Sequence, residues 1–167
     1  MKPLQKLSIR LILFQILALH LFGNAFFHFY YFLRADFYEC IMRSGPESIR
    51  SCWEPYKDQT LGSLISQPFH FMFYGLCFGV LLIITINLIR KKSLWNVVLL
   101  IIIYIFLMYI RAFSDKYLDS CIYSFGRFFS AKIWLSDLIA SLTSFAIGLV
   151  LLWLSVKSNS SKKEPLI

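Results

Sequence analysis

Four long runs of apolar residues constrain the fold of this sequence more than any other feature. They cover residues 11–33, 69–89, 94–110 and 133–154. A run of about 20 apolar residues is long enough to cross the hydrocarbon core of a bilayer as a helix. Inside that core every backbone N–H and C=O must bond within the protein, which an α-helix achieves alone and an open strand does not. The runs therefore predict an all-α membrane protein, built as a bundle of four transmembrane helices.

The composition excludes the main alternative classes. Hydrophobic residues make up 58% of the chain and charged residues 16%, whereas a soluble domain carries roughly 45–50% and about 25%. Aromatic residues reach 18%, which is far too high for a disordered protein. Four helices use about half of the 167 residues, so we expect a single integral membrane domain spanning 1–167 and no separate catalytic domain.

Lysine and arginine are distributed unevenly between the predicted loops. Nine of them fall in 27 residues, namely 1–10, 90–93 and the tail 155–167, whereas eight fall in the 57 residues of loops 34–68 and 111–132. Cytoplasmic loops are the ones enriched in Lys and Arg. Both termini are therefore predicted to be cytoplasmic, with 34–68 and 111–132 as outer loops. The net charge of +8 thus comes mainly from the Lys and Arg of the cytoplasmic loops. We therefore expect membrane lipids as partners and do not expect nucleic acid.

The amino terminus has a second interpretation. Three cations before residue 11, an apolar stretch and then Gly23-Asn24-Ala25 also resemble a signal peptide with a small-residue cleavage site. Removal of residues 1–25 would leave three helices. The apolar run continues to Leu33, which favours a membrane-spanning helix instead.

The first outer loop contains two cysteines that flank a turn. Cys40 and Cys52 lie on either side of Ser44-Gly45-Pro46, on the side predicted to face an oxidising compartment. A disulfide closing about a dozen residues stabilises a fold by about 3 kcal/mol, so we predict a structural bridge, with two free thiols as the alternative. Cys121 in the second loop can be free, exchange with this pair or link two copies of the chain. Cys77, in the middle of helix two, is expected to pack as a small buried thiol.

The first outer loop also carries a resemblance to a known family. Phe37-Tyr38-Glu39-Cys40, followed after eleven residues by Cys52-Trp53, and the stretch Tyr123-Ser124-Phe125-Gly126 before the last helix resemble the claudin and peripheral-myelin-protein superfamily. The sequence departs from that pattern at Ala35-Asp36-Phe37, where the family has Gly-Leu-Trp. The resemblance implies a non-enzymatic tetraspan with a cell-contact or membrane-organising role, most naturally in the plasma membrane. Its outer loop 34–68 would contact a protein partner.

Polar residues inside the apolar runs form two stripes. His20, Asn24 and His28 share one face of helix one, because they lie four residues apart. A second stripe on helix four begins with Asp137, and by depth its nearest cationic partners are His28 and His70. The members of the helix-four stripe are Asp137, Ser141 and Ser144.

Three interpretations of these stripes stay open. Hydrogen bonds between helices are the favoured one, and polar groups within membranes are also functional candidates by default. A proton or ion path is the second. Haem or metal ligation is the third and the weakest, since helices three and four contain no histidine. We predict no bound cofactor or metal.

Small residues mark close approaches between helices. Gly75 and Gly79 are four residues apart on helix two, and Ala140, Ser144 and Gly148 repeat the same spacing on helix four. Such patterns let helix backbones approach closely. They predict packing within the bundle or, alternatively, a face of a homo-oligomer.

An enzymatic alternative is a membrane thiol–disulfide or quinone oxidoreductase. Enzymes of that class rely on a reactive Cys-x-x-Cys pair and usually a second pair to relay electrons. This sequence has no Cys-x-x-Cys, and Cys121 is the single cysteine of the second outer loop. The sequence therefore leans against an enzyme.

Overall fold

The computed structural model describes residues 9–110, 118–130 and 132–157, and its regular structure there is entirely helical. The segments 1–8 and 111–117, residue 131 and most of the tail, from 158 onward, lie outside the described residues. The helices are α1 (Ile9–Leu33), α2 (Ala35–Ser44), α3 (Ile49–Trp53), α4 (Leu61–Ile89), α5 (Trp95–Tyr109), α6 (Leu118–Phe129) and α7 (Ile133–Lys157).

Helix α1 is the centre of the bundle, with α4 and α7 packed along its length. Phe22 of α1 lies against Gly148 of α7, and His28 lies against Asp137 nearer the start of α7. Residue numbers thus rise along α1 as they fall along α7, so the two helices are antiparallel. The same holds for α4, since Gln15 contacts Asn87 while Tyr30 contacts Gln67. Helices α4 and α7 therefore run in the same direction.

Three of these helices, α1, α4 and α7, are long and apolar enough to cross a membrane. The prediction of a helical protein with long apolar helices is thus confirmed for three helices, which is consistent with an integral membrane protein. Of the most apolar window of α1, 67% is buried inside the protein, against 22% for α4 and 33% for α7. The peripheral helices therefore present most of their apolar surface outward, as helices in contact with lipid do. Helix α5 has 15 residues and agrees closely with the predicted run 94–110.

Helix α4 begins at Leu61 and not at Phe69, because Pro68 lies inside the helix and does not precede it. The side chain of Thr60 caps the helix by accepting from the backbone N–H of Ser63 at 3.2 Å. Proline has no N–H, so the carbonyl of Leu64 loses its helical donor. The hydroxyls of Tyr30 and Tyr38 each lie 3.4 Å from that carbonyl oxygen. The single hydrogen of the Tyr30 hydroxyl goes to Gln67 Oε1 at 2.7 Å, so Tyr38 is the donor to this carbonyl, and the helix passes through the proline.

Both predicted outer loops are largely helical. Residues 34–60, which we call the outer module, contain α2 and α3 with 3₁₀ turns at Pro46–Ser48 and Glu54–Tyr56. The end of the bundle that carries this module is called the outer end below. In the second loop, α6 packs against α7. A side chain at Gly126 of α6 would collide with the carbonyl oxygen of Ser136, so glycine is needed for this close approach.

The main hydrophobic core lies where α1 meets α4, α5 and α7. Its side chains are buried against one another, and between membrane helices such contacts stabilise the bundle by van der Waals packing, because lipid is as apolar as these side chains. Its members include Ile16, Leu19 and Phe22 of α1, Ile83 of α4, Leu100 of α5 and Leu152 of α7.

Candidate functional site

The polar stripes predicted on helices one and four meet in the structure, and we call this set the polar seam. His28 Nδ1 lies 2.9 Å from Asp137 Oδ1, and the two residues are 7% and 4% exposed. A carboxylate oxygen only accepts hydrogen bonds, so His28 Nδ1 carries the hydrogen and donates it. The ring of Tyr123 stacks on His28, with centroids 6.1 Å apart and planes at 10°. Helix α6 thereby closes the outer end of the seam.

His20 and Asn24 continue the polar seam toward the middle of α1. Asn24 Nδ2 lies 3.4 Å from His20 Nε2, and His20 Nδ1 lies 3.4 Å from the hydroxyl of Tyr104 on α5. An amide nitrogen only donates, so Nε2 is the acceptor in the bond from Asn24. This arrangement ties α5 to the central helix.

The serines of α7 have different environments. Ser141 donates to the backbone carbonyl of Ala25 across the α1–α7 contact at 2.8 Å. Ser144 is fully buried, and its hydroxyl meets no hydrogen-bond partner among the described residues. Ser141 therefore joins two helices, whereas Ser144 serves as a small residue in the contact.

His70 does not join the polar seam. It is exposed on α4, and its Nδ1 lies 3.0 Å from the backbone carbonyl of Ser66 in the preceding turn. Of the two histidines that sequence offered as partners of Asp137, the structure brings only His28 to that carboxylate.

A buried amide pair was missed by the sequence analysis. Gln15 Nε2 donates to Asn87 Oδ1 at 3.1 Å, and the reverse bond from Asn87 Nδ2 to Gln15 Oε1 is 3.5 Å. Both side chains are fully buried. The signal was available, since each is an amide inside an apolar run, and such residues usually bond across helices.

The predicted small residues lie at helix contacts inside the chain. Side chains at Gly75 and Gly79 would collide with α1, at the carbonyl oxygen of Phe22 and at a methyl group of Leu19. Gly148 of α7 packs against the ring of the same Phe22. Ala140 is also fully buried, beside Leu21 of α1 and Ile122 of α6. These small residues therefore pack against other helices of the same chain.

The outer module has a small core of its own. Phe37 of α2, Cys52 of α3 and Leu64 of α4 are all buried together. Cys40 and Cys52 stand at disulfide distance, with Cα atoms 5.7 Å apart. Trp53 Nε1 donates to the carbonyl oxygen of Gln59 at 2.8 Å. The segment is thus packed as a folded unit on the outer ends of α1 and α4.

Tyr38 connects the outer module to the bundle. Its ring lies 4.3 Å from that of Tyr31, centroid to centroid. Burial raises the pKa of the Tyr38 hydroxyl above its ordinary value, with smaller contributions from Tyr31 and Tyr30, while the charge of Arg34 opposes the shift. The neutral hydroxyl is therefore the form that the folded structure favours.

The other two cysteines are unpaired and exposed, Cys77 on α4 and Cys121 on α6. The expectation that Cys77 is buried was therefore wrong, because its face of α4 points away from α1. Among the described residues, no group of three His, Cys, Asp or Glu side chains is arranged to hold a metal ion.

Comparison of the chain with known protein families, with curated proteins and with solved structures finds no match. The resemblance to the claudin superfamily accordingly stays a prediction that depends on the residues quoted above.

Proposed function

We propose that this protein is a non-enzymatic four-pass membrane protein whose outer module contacts a protein partner. Both termini would be cytoplasmic and the outer module would face the outside of the plasma membrane. The claudin-like residues suggest the kind of role, which is cell contact or membrane organisation. Assembly with further copies of the chain is compatible with this role.

The direction of the helices supports a fourth crossing. Because α4 and α7 run the same way against α1, the segment 90–132 has to return from the inner end of the bundle to the outer end. Within that segment, Tyr104 of α5 lies beside His20 near the middle of α1, and Tyr123 of α6 stacks on His28 further out. If the three long helices each cross the membrane, this return makes an even number of crossings.

The burial of Cys52 carries the functional proposal. This cysteine is 4% exposed, in the core of the outer module. A redox enzyme needs an accessible thiol of low pKa, whereas a structural disulfide is protected from exchange. We infer that Cys40 and Cys52 form a permanent bridge that holds a folded surface. That surface carries the exposed charges Arg43, Glu47, Arg50, Glu54, Lys57 and Asp58.

Site-specific photocrosslinking tests the proposed contact. A benzoylphenylalanine at Met42, which is 62% exposed on the outer module, should give a discrete protein adduct in native membranes. Leu81, 63% exposed on α4, is the matched control and should give lipid adducts only. The adduct from position 42 should disappear in the Cys40→Ser/Cys52→Ser variant. Equal labelling patterns at the two positions would contradict a partner on the outer module.

The oxidoreductase alternative makes a different prediction for the same cysteines. In native membranes, differential alkylation should find Cys40 and Cys52 oxidised whether or not quinone is added. Reduction and reoxidation of this pair coupled to quinone would favour an enzyme. Replacement of Cys121 by serine should leave the fold and the proposed contact unchanged.

Proton conduction is a second candidate, favoured by the buried polar seam. His20, Asn24, His28 and Asp137 follow one face of α1 and its contact with α7. Each is hydrogen-bonded to a neighbour, which favours the interpretation that they join helices, at about 0.6 kcal/mol per bond. Liposomes containing the protein should show no proton flux above that of liposomes with the Asp137→Asn variant, and a flux abolished by that substitution would favour conduction.

A further inference from the structure

A polar cleft of about 730 Å³ opens between α1 and α4 at the outer end of the bundle. It lies outside the polar seam and outside the core of the outer module. Its polar wall contains Arg34, Gln67 and His70, and its apolar wall contains Leu33, Phe71 and Tyr74. Polar and apolar walls meet where the long apolar helices end, which is the depth of lipid headgroups in a bilayer.

Arg34 is the cation of this cleft. Its guanidinium stacks over the ring of Tyr56, 5.3 Å from the centroid, and it forms no ion pair with any carboxylate in the described part of the chain. Stacking occupies one face of the guanidinium, and one of its N–H donors lies at the hydroxyl of Tyr30. The remaining donors in its plane are available to a ligand. A planar fork of this kind suits a phosphate group, which accepts two parallel hydrogen bonds from it.

Two further side chains add hydrogen-bonding groups. The hydroxyl of Tyr30 donates to Gln67 Oε1 at 2.7 Å, which leaves the Gln67 amide nitrogen as a donor. His70 Nδ1 lies against the Ser66 carbonyl, which leaves Nε2 for a ligand. Nε2 accepts from a hydroxyl or ammonium group when the ring is neutral and donates to a phosphate oxygen when it is protonated.

The apolar wall of the cleft indicates that the ligand also has an apolar part. Leu33 ends α1 and is 51% exposed, and Tyr74 is 56% exposed one turn deeper than His70 on α4. An acyl chain lying on this wall would continue into the hydrocarbon. A soluble phosphate has no group to place there.

We propose that this cleft binds the phosphodiester of a glycerophospholipid in the outer leaflet, with Arg34 as the phosphate-binding group. The inference requires that the outer end lies at a membrane boundary, but it does not require a protein partner for the outer module. Failure of the lipid experiment below would therefore leave the crosslinking test of the partner intact.

Lipid retention by the purified full-length chain tests the proposal. The protein in detergent is incubated with palmitoyl-oleoyl-phosphatidylglycerol, and retained lipid is counted by native mass spectrometry. Diacylglycerol with the same two chains, and water-soluble glycerophosphoglycerol, are the comparison probes. We expect at least tenfold weaker retention of both, because the first lacks the phosphate and the second lacks the chains. Equal retention of diacylglycerol would overturn the phosphate site, and equal retention of glycerophosphoglycerol would overturn the lipid.

Substitutions locate the binding group. Arg34→Gln should lower phosphatidylglycerol retention about tenfold, because it removes the charge and the paired N–H donors that bind the phosphate. Arg50→Gln removes an exposed arginine of the outer module outside the cleft and should change nothing. Arg34 also stacks on Tyr56, so the exposed His70→Leu is the second test, with an expected loss of about threefold. Retention that is unchanged in both Arg34→Gln and His70→Leu would contradict the proposal.

Discussion

The close contact between α1 and α4 gives the sharpest prediction for stability. A side chain at Gly75 would meet the carbonyl oxygen of Phe22, which is backbone and cannot rotate away. At Gly79 the nearest atom is a methyl carbon of Leu19 at 2.8 Å, the flexible end of a side chain. At Gly62, in the first turn of α4, a side chain would meet nothing within 4 Å. One chemical change, glycine to alanine, therefore probes three levels of crowding in a single helix.

The expected magnitudes follow from this geometry. For Gly75→Ala the helices must separate by about 1 Å to restore ordinary contact, and such overpacking costs about 1–3 kcal/mol. Because alanine recovers up to about 1 kcal/mol of helix propensity, we expect a net loss of about 1–2 kcal/mol. Gly79→Ala should cost less, since Leu19 can change rotamer. Gly62→Ala should be neutral or stabilise by about 0.4–1 kcal/mol.

Reversible unfolding by SDS in mixed micelles measures these free energies, with loss of helix followed by circular dichroism. The account predicts that the midpoint falls in the order Gly62→Ala, Gly79→Ala, Gly75→Ala. Size-exclusion chromatography of the same variants separates this from a homo-oligomer face, which would change the assembled size and leave unfolding of the single chain unaltered. A Gly75→Ala protein as stable as Gly62→Ala would refute the α1–α4 contact described here.

Three further predictions concern the polar seam and the outer module. Asp137→Leu should destabilise the bundle, because His28 is left unpaired in a low-dielectric site. The double variant His28→Phe/Asp137→Leu should recover most of the lost stability. SDS unfolding compares the two proteins, and equal stability would argue against the His28–Asp137 pair. A raised pKa means that the folded state keeps the Tyr38 proton where the unfolded state loses it, so stability should fall as pH rises above about 10, and Tyr38→Phe should flatten that fall. Reduction of Cys40 and Cys52 should increase protease cleavage within residues 34–60 while leaving the helices intact, and an unchanged digest would contradict a bracing disulfide.

The long helices could be predicted from sequence because lipid demands a long apolar run, and α5 differs from its predicted run by only one residue at each end. The start of α4 could not be predicted from sequence, because Pro68 was expected to lie before the helix and not within it. The carbonyl that the proline leaves without a helical donor accepts from the hydroxyl of Tyr38, which is distant in sequence. The helices of the outer module were missed for a related reason. The apolar face of α2 is short, and its burial depends on contacts with α3 and α4, which follow later in the chain.

The polar seam shows which contacts can be predicted from the depth of a residue in the membrane and which cannot. Spacing placed His20, Asn24 and His28 on one face, and depth made both His28 and His70 candidates for Asp137. Depth does not say on which side of α1 each neighbour packs. That choice depends on crowding at the small residues of α4 and α7, which brings Asp137 to His28 and leaves His70 on the outer surface of α4.

The location of the two chain ends shows whether the chain crosses the membrane four times. Epitope tags are placed at the amino and carboxyl termini of the full chain, and antibody access is measured in intact and permeabilised cells. Four crossings predict that both tags are hidden in intact cells and that both are labelled after permeabilisation. One tag labelled on intact cells and the other hidden would mean an odd number of crossings and would contradict the account.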